Sequence, residues 1–85
     1  MAYCYEEQKK ELFTERGAEV LLKVRDKAND LLESSGAFMA GKVFCSGDAW
    51  TMLAALDYMV ERREIAELTG VNEIGQRRVF VAAIR

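Results

Sequence analysis

The stretch Ser46-Gly47-Asp48-Ala49-Trp50-Thr51-Met52-Leu53-Ala54-Ala55-Leu56-Asp57-Tyr58-Met59-Val60-Glu61-Arg62-Arg63-Glu64-Ile65 decides how the rest of the chain is read. Ser46 is a good N-cap, and Asp48 in the first turn suits the positive end of a helix dipole. From Ala49 to Arg62 nothing breaks the run. At about 100° per residue, Ala49, Met52, Leu53, Leu56, Met59 and Val60 gather on one side and are expected to form its core face. The remaining arc carries Trp50, Thr51, Ala54, Ala55, Asp57, Tyr58, Glu61 and Arg62.

Upstream, Val20, Leu21, Val24, Ala28, Leu31 and Leu32 recur at three- and four-residue steps between Thr14 and Ser34, with charged residues opposite. This predicts a second amphipathic helix, closed by Ser34-Ser35 and by Gly36, which takes a left-handed backbone cheaply. Glu6 to Phe13 is rich in helix formers and reads either as an earlier turn of that helix or as a separate short one, with Gly17 as the weak point between them. Ala37 to Phe44 is short and apolar with an internal Gly41, so it reads as a two-turn helix or a strand. Downstream, two β-prone segments, Ile65 to Thr69 and Gln76 to Ile84, bracket a loop bounded by Gly70 and Gly75. They predict a hairpin, and the chain has no proline to prevent the strands from pairing.

The expected architecture is therefore α+β: two or three helices followed by a C-terminal β-hairpin, in one domain over residues 1–85, with 1–13 as an N-terminal extension or helix. Eighty-five residues suffice for one such core and not for two. Half of the residues are hydrophobic and 31% are charged, the composition of a chain that folds. Cys4 and Cys45 stand far apart with no histidine anywhere, so neither a disulfide framework nor a zinc site is expected. The N-terminus lacks the features of a secretory leader, and no segment approaches the roughly 20 apolar residues of a membrane span. A cytoplasmic location with no membrane partner is expected.

The same residues argue against catalysis. Without histidine, both the usual base at neutral pH and the commonest metal ligand are missing. The carboxylate pairs Glu6-Glu7, Asp26 with Asp30, and Asp57 with Glu61 are spaced as on solvated helix faces. The glycines form no phosphate-binding pattern. A non-enzyme with no metal and no small-molecule cofactor is expected.

The order of helix, short piece, Ser46-capped helix with Trp50, Leu53, Leu56 and Val60, the turn Val60-Glu61-Arg62-Arg63-Glu64-Ile65 and then a hairpin resembles a winged helix-turn-helix domain. The likeness covers Gly36 to Ile84. The strand Gly75 to Val81 is similar in particular to those ending small phage- or prophage-type proteins of that kind. The resemblance implies that the helix after Ser46 enters a DNA groove and that the hairpin is the wing. It also implies that a first motif helix braces the second, and Ala37 to Phe44 is short for that task.

Two functions follow as expectations. A small DNA-binding regulator would use Thr51, Arg62, Arg63, Arg77 and Arg78 against the nucleic acid. Those arginines also read simply as helix-end and strand-surface charges, and the net charge of −2 lacks the basic excess of a nucleic-acid binder. A protein-interaction module, for example a mobile-element protein that blocks a host nucleic-acid-handling complex, would use Trp50, Ala54, Ala55 and Tyr58. It would act on a protein partner or as a homodimer. Against it stands the reading in which Tyr3, Tyr5, Leu12 and Phe13 fold over Trp50 and Tyr58 as a second core layer.

Overall fold

The computed structural model describes residues 3–44, 49–68 and 78–83. The chain opens with one helical turn, α1 (Tyr5–Gln8), which passes into a 3₁₀ segment, Lys9–Phe13. Thr14 then ends this piece and starts the next. Its extended backbone breaks the helix, its hydroxyl donates back to the Glu11 carbonyl at 2.7 Å, and it accepts from the Gly17 N–H at 3.0 Å as an N-cap. The long helix α2 (Glu15–Ser35) follows and stops at Gly36, which takes φ 78° and donates its N–H to the Leu32 carbonyl. The two readings of residues 6–13 thus resolve to a separate short element.

Gly17 has a role beyond flexibility. A Cβ at this position would lie 1.7 Å from the Glu11 carbonyl oxygen and 2.9 Å from the Leu12 Cα. Only hydrogen lets the first turn of α2 sit against the 3₁₀ segment, which in turn buries Leu12 in the core.

The apolar piece after Gly36, expected as a two-turn helix or a strand, opens as a strand and has no two-turn helix. Strand β1 (Ala37–Met39) is followed at once by a 3₁₀ turn, Ala40–Val43, which buries Ala40 and Val43. Helix α3 (Ala49–Glu61) comes next; the expected cap at Ser46 and Asp48 lies outside the described residues. Its end is a Schellman arrangement, in which the Glu64 N–H reaches the Met59 carbonyl and the Arg63 N–H the Val60 carbonyl. Arg63 holds the left-handed position at φ 62°, where glycine is usual. The reversed chain then enters β2 (Ile65–Glu67), and β3 (Val79–Ala82) completes the structure.

The expected hairpin pairs Ile65 with Ala82, Ala66 with Val81 and Glu67 with Phe80, all antiparallel. β3 also pairs with β1, matching Phe38 to Phe80, so the sheet has three antiparallel strands in the order β1-β3-β2. The fold class is α+β as expected, with one more strand than the hairpin supplies.

One cluster of buried side chains joins all these elements. Val20, Val24 and Ala28 come from α2, Phe38 and Phe80 stack at 5.5 Å from the sheet, and Met52 to Leu56 with Met59 come from α3. Each of the fully buried large residues, such as Phe80, Leu56 and Met59, contributes about 1.5–3 kcal/mol by leaving water. The expected core face of α3 needs two corrections. Ala49 is exposed and Val60 is only half-buried, while Ala54 and Ala55 are fully buried. Five consecutive residues, Met52 to Leu56, are buried because α3 is packed from several sides, with α2 and the sheet against it and the N-terminal segment laid across the rest. Among the described residues no helix is long and apolar enough to cross a membrane.

Candidate functional site

The arc of α3 with the strongest look of a contact surface is where the chain covers itself. Tyr3 donates its hydroxyl to Asp57 Oδ2 at 2.6 Å and stands edge-on to Trp50, centroids 6.4 Å apart. Tyr5 donates to Glu61 Oε2 at 2.6 Å, and Lys9 Nζ donates to the other oxygen of the same carboxylate at 2.8 Å. Phe13 meets Tyr58 edge to face at 5.9 Å. A helix turn later, Arg62 lies 5.8 Å from the Tyr58 ring. Of the residues expected to meet a protein partner, Trp50 and Tyr58 are therefore half-buried against residues 3–13; Thr51, expected to meet nucleic acid, is half-buried as well. Ala54 and Ala55 have no exposed surface, so they cannot admit a partner's backbone; this is a correction, and the cause is the packing of α3 from several sides, by α2, the sheet and the N-terminal segment.

Burial first, and then the hydrogen bonds to Asp57 and Glu61, push the Tyr3 and Tyr5 hydroxyls well above the ordinary phenol range. The hydrogen bonds from Lys9 and then Tyr5 hold the Glu61 carboxyl below its ordinary value of 4.5, and Glu61 in return raises the Lys9 ammonium.

Beneath the same segment lies an ion cluster. Arg78 precedes β3 and points inward, its side chain 14% exposed. Its Nε and Nη2 donate to the two oxygens of Glu67 at 3.0 and 2.8 Å, and Nη1 and Nη2 donate to Asp57. The guanidinium also lies 5.2 Å from the Phe80 ring. The hydrogen bonds it donates to Glu67 first, set against burial, and then those to Asp57 raise its already high pKa, so it is permanently charged. Arg78 thus ties α3 to β2 and β3 and carries Tyr3 into the same network through Asp57. An arginine expected to reach out to phosphate is occupied with two carboxylates of its own fold, because it stands two residues before Phe80 and so shares the side of the strand on which Phe80 is buried.

The remaining cationic candidates divide. Arg62 is 59% exposed and 3.8 Å from Glu64, a carboxylate already gripped in two-toothed fashion by Arg25 at 2.8 and 2.9 Å. Arg63 is exposed beside it. Arg77 lies outside the described residues, as does the loop between Gly70 and Gly75. Among the described residues no group of three or more His, Cys, Asp and Glu is placed to hold a metal ion, and no buried side-chain nitrogen or oxygen lacks a partner.

A second surface was not anticipated. The registers place Ala37 beside Val81, Met39 beside Val79, and Ala66 beside Val81, all on the sheet face opposite the buried Phe38 and Phe80. Leu68, whose N–H donates to the Val79 carbonyl at 3.0 Å, extends that face by one residue. Its six side chains are all apolar, with Met39 45% and Leu68 42% exposed. An antiparallel sheet with one face on a core ordinarily shows polar residues on the other. Along the β1 side of this face runs an open groove of about 490 Å³ lined by Leu31, Ser35, Ala37, Phe38, Met39, Lys42 and Val79. The signal was present in Val79-Phe80-Val81-Ala82-Ala83, a strand apolar in both phases, which is the pattern of a strand with two covered faces. No family model, no curated protein and no solved structure matches this chain.

Proposed function

We propose that this chain is a winged-helix-like protein-interaction domain, working by binding and not by catalysis. The order of α2, β1, a helical turn, α3, the turn Val60 to Ile65 and the hairpin β2–β3 supports the winged-helix reading of the fold. The single 3₁₀ turn Ala40–Val43 stands where a DNA-binding member would have its bracing helix.

The observation that carries the choice of partner is the occupation of α3. Its outer arc is covered by residues 3–13 through Tyr3, Tyr5, Lys9 and Phe13, and the carboxylates Asp57 and Glu61 lie within it. A helix so covered cannot lie in a major groove, which needs base-reading side chains presented outward. Arg78 adds to this by spending its donors inside the fold. The apolar sheet face, by contrast, has the composition of a protein contact.

The test is a titration of the whole chain against mixed-sequence duplex DNA at about 50 mM and about 200 mM salt, where phosphate contacts change affinity steeply. The expected result is no binding at either concentration. Salt-sensitive binding, reduced by Arg62→Ala with Arg63→Ala, would overturn the proposal in favour of a DNA-binding regulator.

A further inference from the structure

The apolar sheet face has a shape as well as a composition. Met39, Val79 and Leu68 lie side by side across β1, β3 and β2, and one step of two residues along the strands lie Ala37, Val81 and Ala66. The first row ends in two long, exposed side chains, Met39 and Leu68; in the second row the corresponding positions are alanines. The face is therefore a ridge beside a step.

We infer that this face binds a second copy of the same chain, forming a two-fold dimer by sheet-on-sheet packing. A two-fold axis in the interface plane, perpendicular to β3 and midway between the two rows, lays each ridge on the other copy's step. Met39 then meets Ala37 of the second copy, Leu68 meets Ala66, and Val79 meets Val81. Self-complementarity of this kind is what an isologous contact requires, and large-against-small pairing is how two inner sheet faces interdigitate at about 10 Å.

Charge points the same way. The chain carries 26 ionisable Lys, Arg, Asp and Glu residues among 85, so a contact made through most of its surface would have to take charged groups out of water. The six side chains of this face include none, and Lys42 stands at the groove beside it. The aromatic arc of α3, expected at first to supply a dimer contact, is already occupied by the chain's own Tyr3 and Phe13.

Six side chains and the groove wall make an interface at or below the low end of specific contacts, under about 1,200 Å² in total, so the dimer is weak and concentration-dependent. The inference rests on the protein-binding reading and names its partner.

The experiment is sedimentation equilibrium of the whole chain from about 5 to about 500 µM, a range suited to micromolar dissociation constants. Reductant is present because Cys4 is exposed and free. The expected result is a monomer–dimer equilibrium insensitive to salt. Met39→Glu and Leu68→Glu, measured separately, each raise the dissociation constant at least ten-fold while circular dichroism and melting stay native, since both positions are already over 40% exposed. Phe13→Ala, on the far side and itself 68% exposed, leaves the equilibrium unchanged. A monomer at every concentration overturns the inference, as does a dimer that survives both glutamates or dissolves with Phe13→Ala. None of these outcomes bears on the duplex titration, so the dimer can fail while the protein-binding reading stands.

Discussion

Two surfaces of this molecule exchange the roles that local sequence suggests for them. The outer arc of α3 carries a tryptophan, a tyrosine and two alanines, and residues 3–13 pack over it; the outer face of the sheet carries only aliphatic residues, and among the described residues its Met39 and Leu68 stand exposed while the other four are half-buried. Hydrophobic content does not distinguish them. What differs is the supply of chain nearby. Residues 3–13 start close to α3 and bring Tyr3, Tyr5 and Lys9, which answer Asp57 and Glu61 with one donor each or, at Glu61, two. No comparable described segment lies over the strands. Whether an apolar surface is a core layer or a contact is thus decided by what the rest of the chain can place upon it.

The largest expected effect breaks the covered side. Gly17→Ala forces a methyl group into the Glu11 carbonyl, a backbone atom with no side-chain freedom to yield. The 3₁₀ segment must shift, drawing Leu12 from the core and Tyr3 from Trp50. A loss of roughly 3 kcal/mol is expected from such overpacking, a large share of a small domain's stability. Urea unfolding of the variant measures it, and Trp50 fluorescence should change in the folded baseline. A loss below about 1 kcal/mol would mean that the cover is not held by this close approach.

Arg78→Met tests the layer beneath. The substitution removes the shared partner of Asp57 and Glu67 while keeping most of the apolar stem. Since Asp57 is mostly buried and Glu67 partly open to water, about 2 kcal/mol is expected, less than the 3–5 kcal/mol of a fully buried pair. Asp57→Asn in the same chain should return part of it, because a neutral amide bears the loss of the cation more easily than a carboxylate. Full additivity of the two losses in a double-mutant cycle would argue against a shared network.

Much of this fold could be read from residue pattern. The period of α2, its stop at Gly36 and the pairing of Ile65–Glu67 with the strand containing Val79 follow from spacing and glycine chemistry, which act locally. The third strand was half legible. Ala37 to Phe44 was too short to choose between strand and helix, and only the tertiary pairing of Phe38 with Phe80 decides it. The site was less legible still. Helical periodicity put Ala54 and Ala55 outside because it allows α3 one buried face, whereas a helix packed from several sides buries most of its circumference. Arg78 looked like surface because alternation along β3 gives one side to water, and the side it received was fixed by register, which turns on Phe80 entering the core. The cover of Trp50 and Tyr58 by Tyr3 and Phe13 was legible as one of two readings, and distance in sequence hid only its polar side, since Tyr3 and Asp57 lie 54 residues apart.

The smallest expected effect concerns the rim of the cover, and its sign follows from Glu61. Its carboxyl is held below 4.5 by the hydrogen bonds from Lys9 and Tyr5, so the stabilisation it gives is fully present above that value and is lost as pH falls through the lower, folded one. Lys9, raised above 10.5 by the same contact, keeps its charge through the neutral range and releases Glu61 only in strong base. Between about pH 5 and pH 10 the tether is therefore unchanged, and below about pH 4 its outer end loosens. Both groups are open to water, which makes the energetic consequence slight. Hydrogen exchange of the Tyr5–Gln8 turn reads it directly: protection there should fall on acidification from pH 5 to pH 3, after correction for the intrinsic rate, before the α2 amides respond. Glu61→Gln should flatten that dependence, because the amide still accepts from Tyr5 but has no charge to lose. Equal loss of protection in the wild type and the variant would place the acid sensitivity elsewhere and leave the aromatic contacts Tyr3–Trp50 and Phe13–Tyr58 as what holds the segment down.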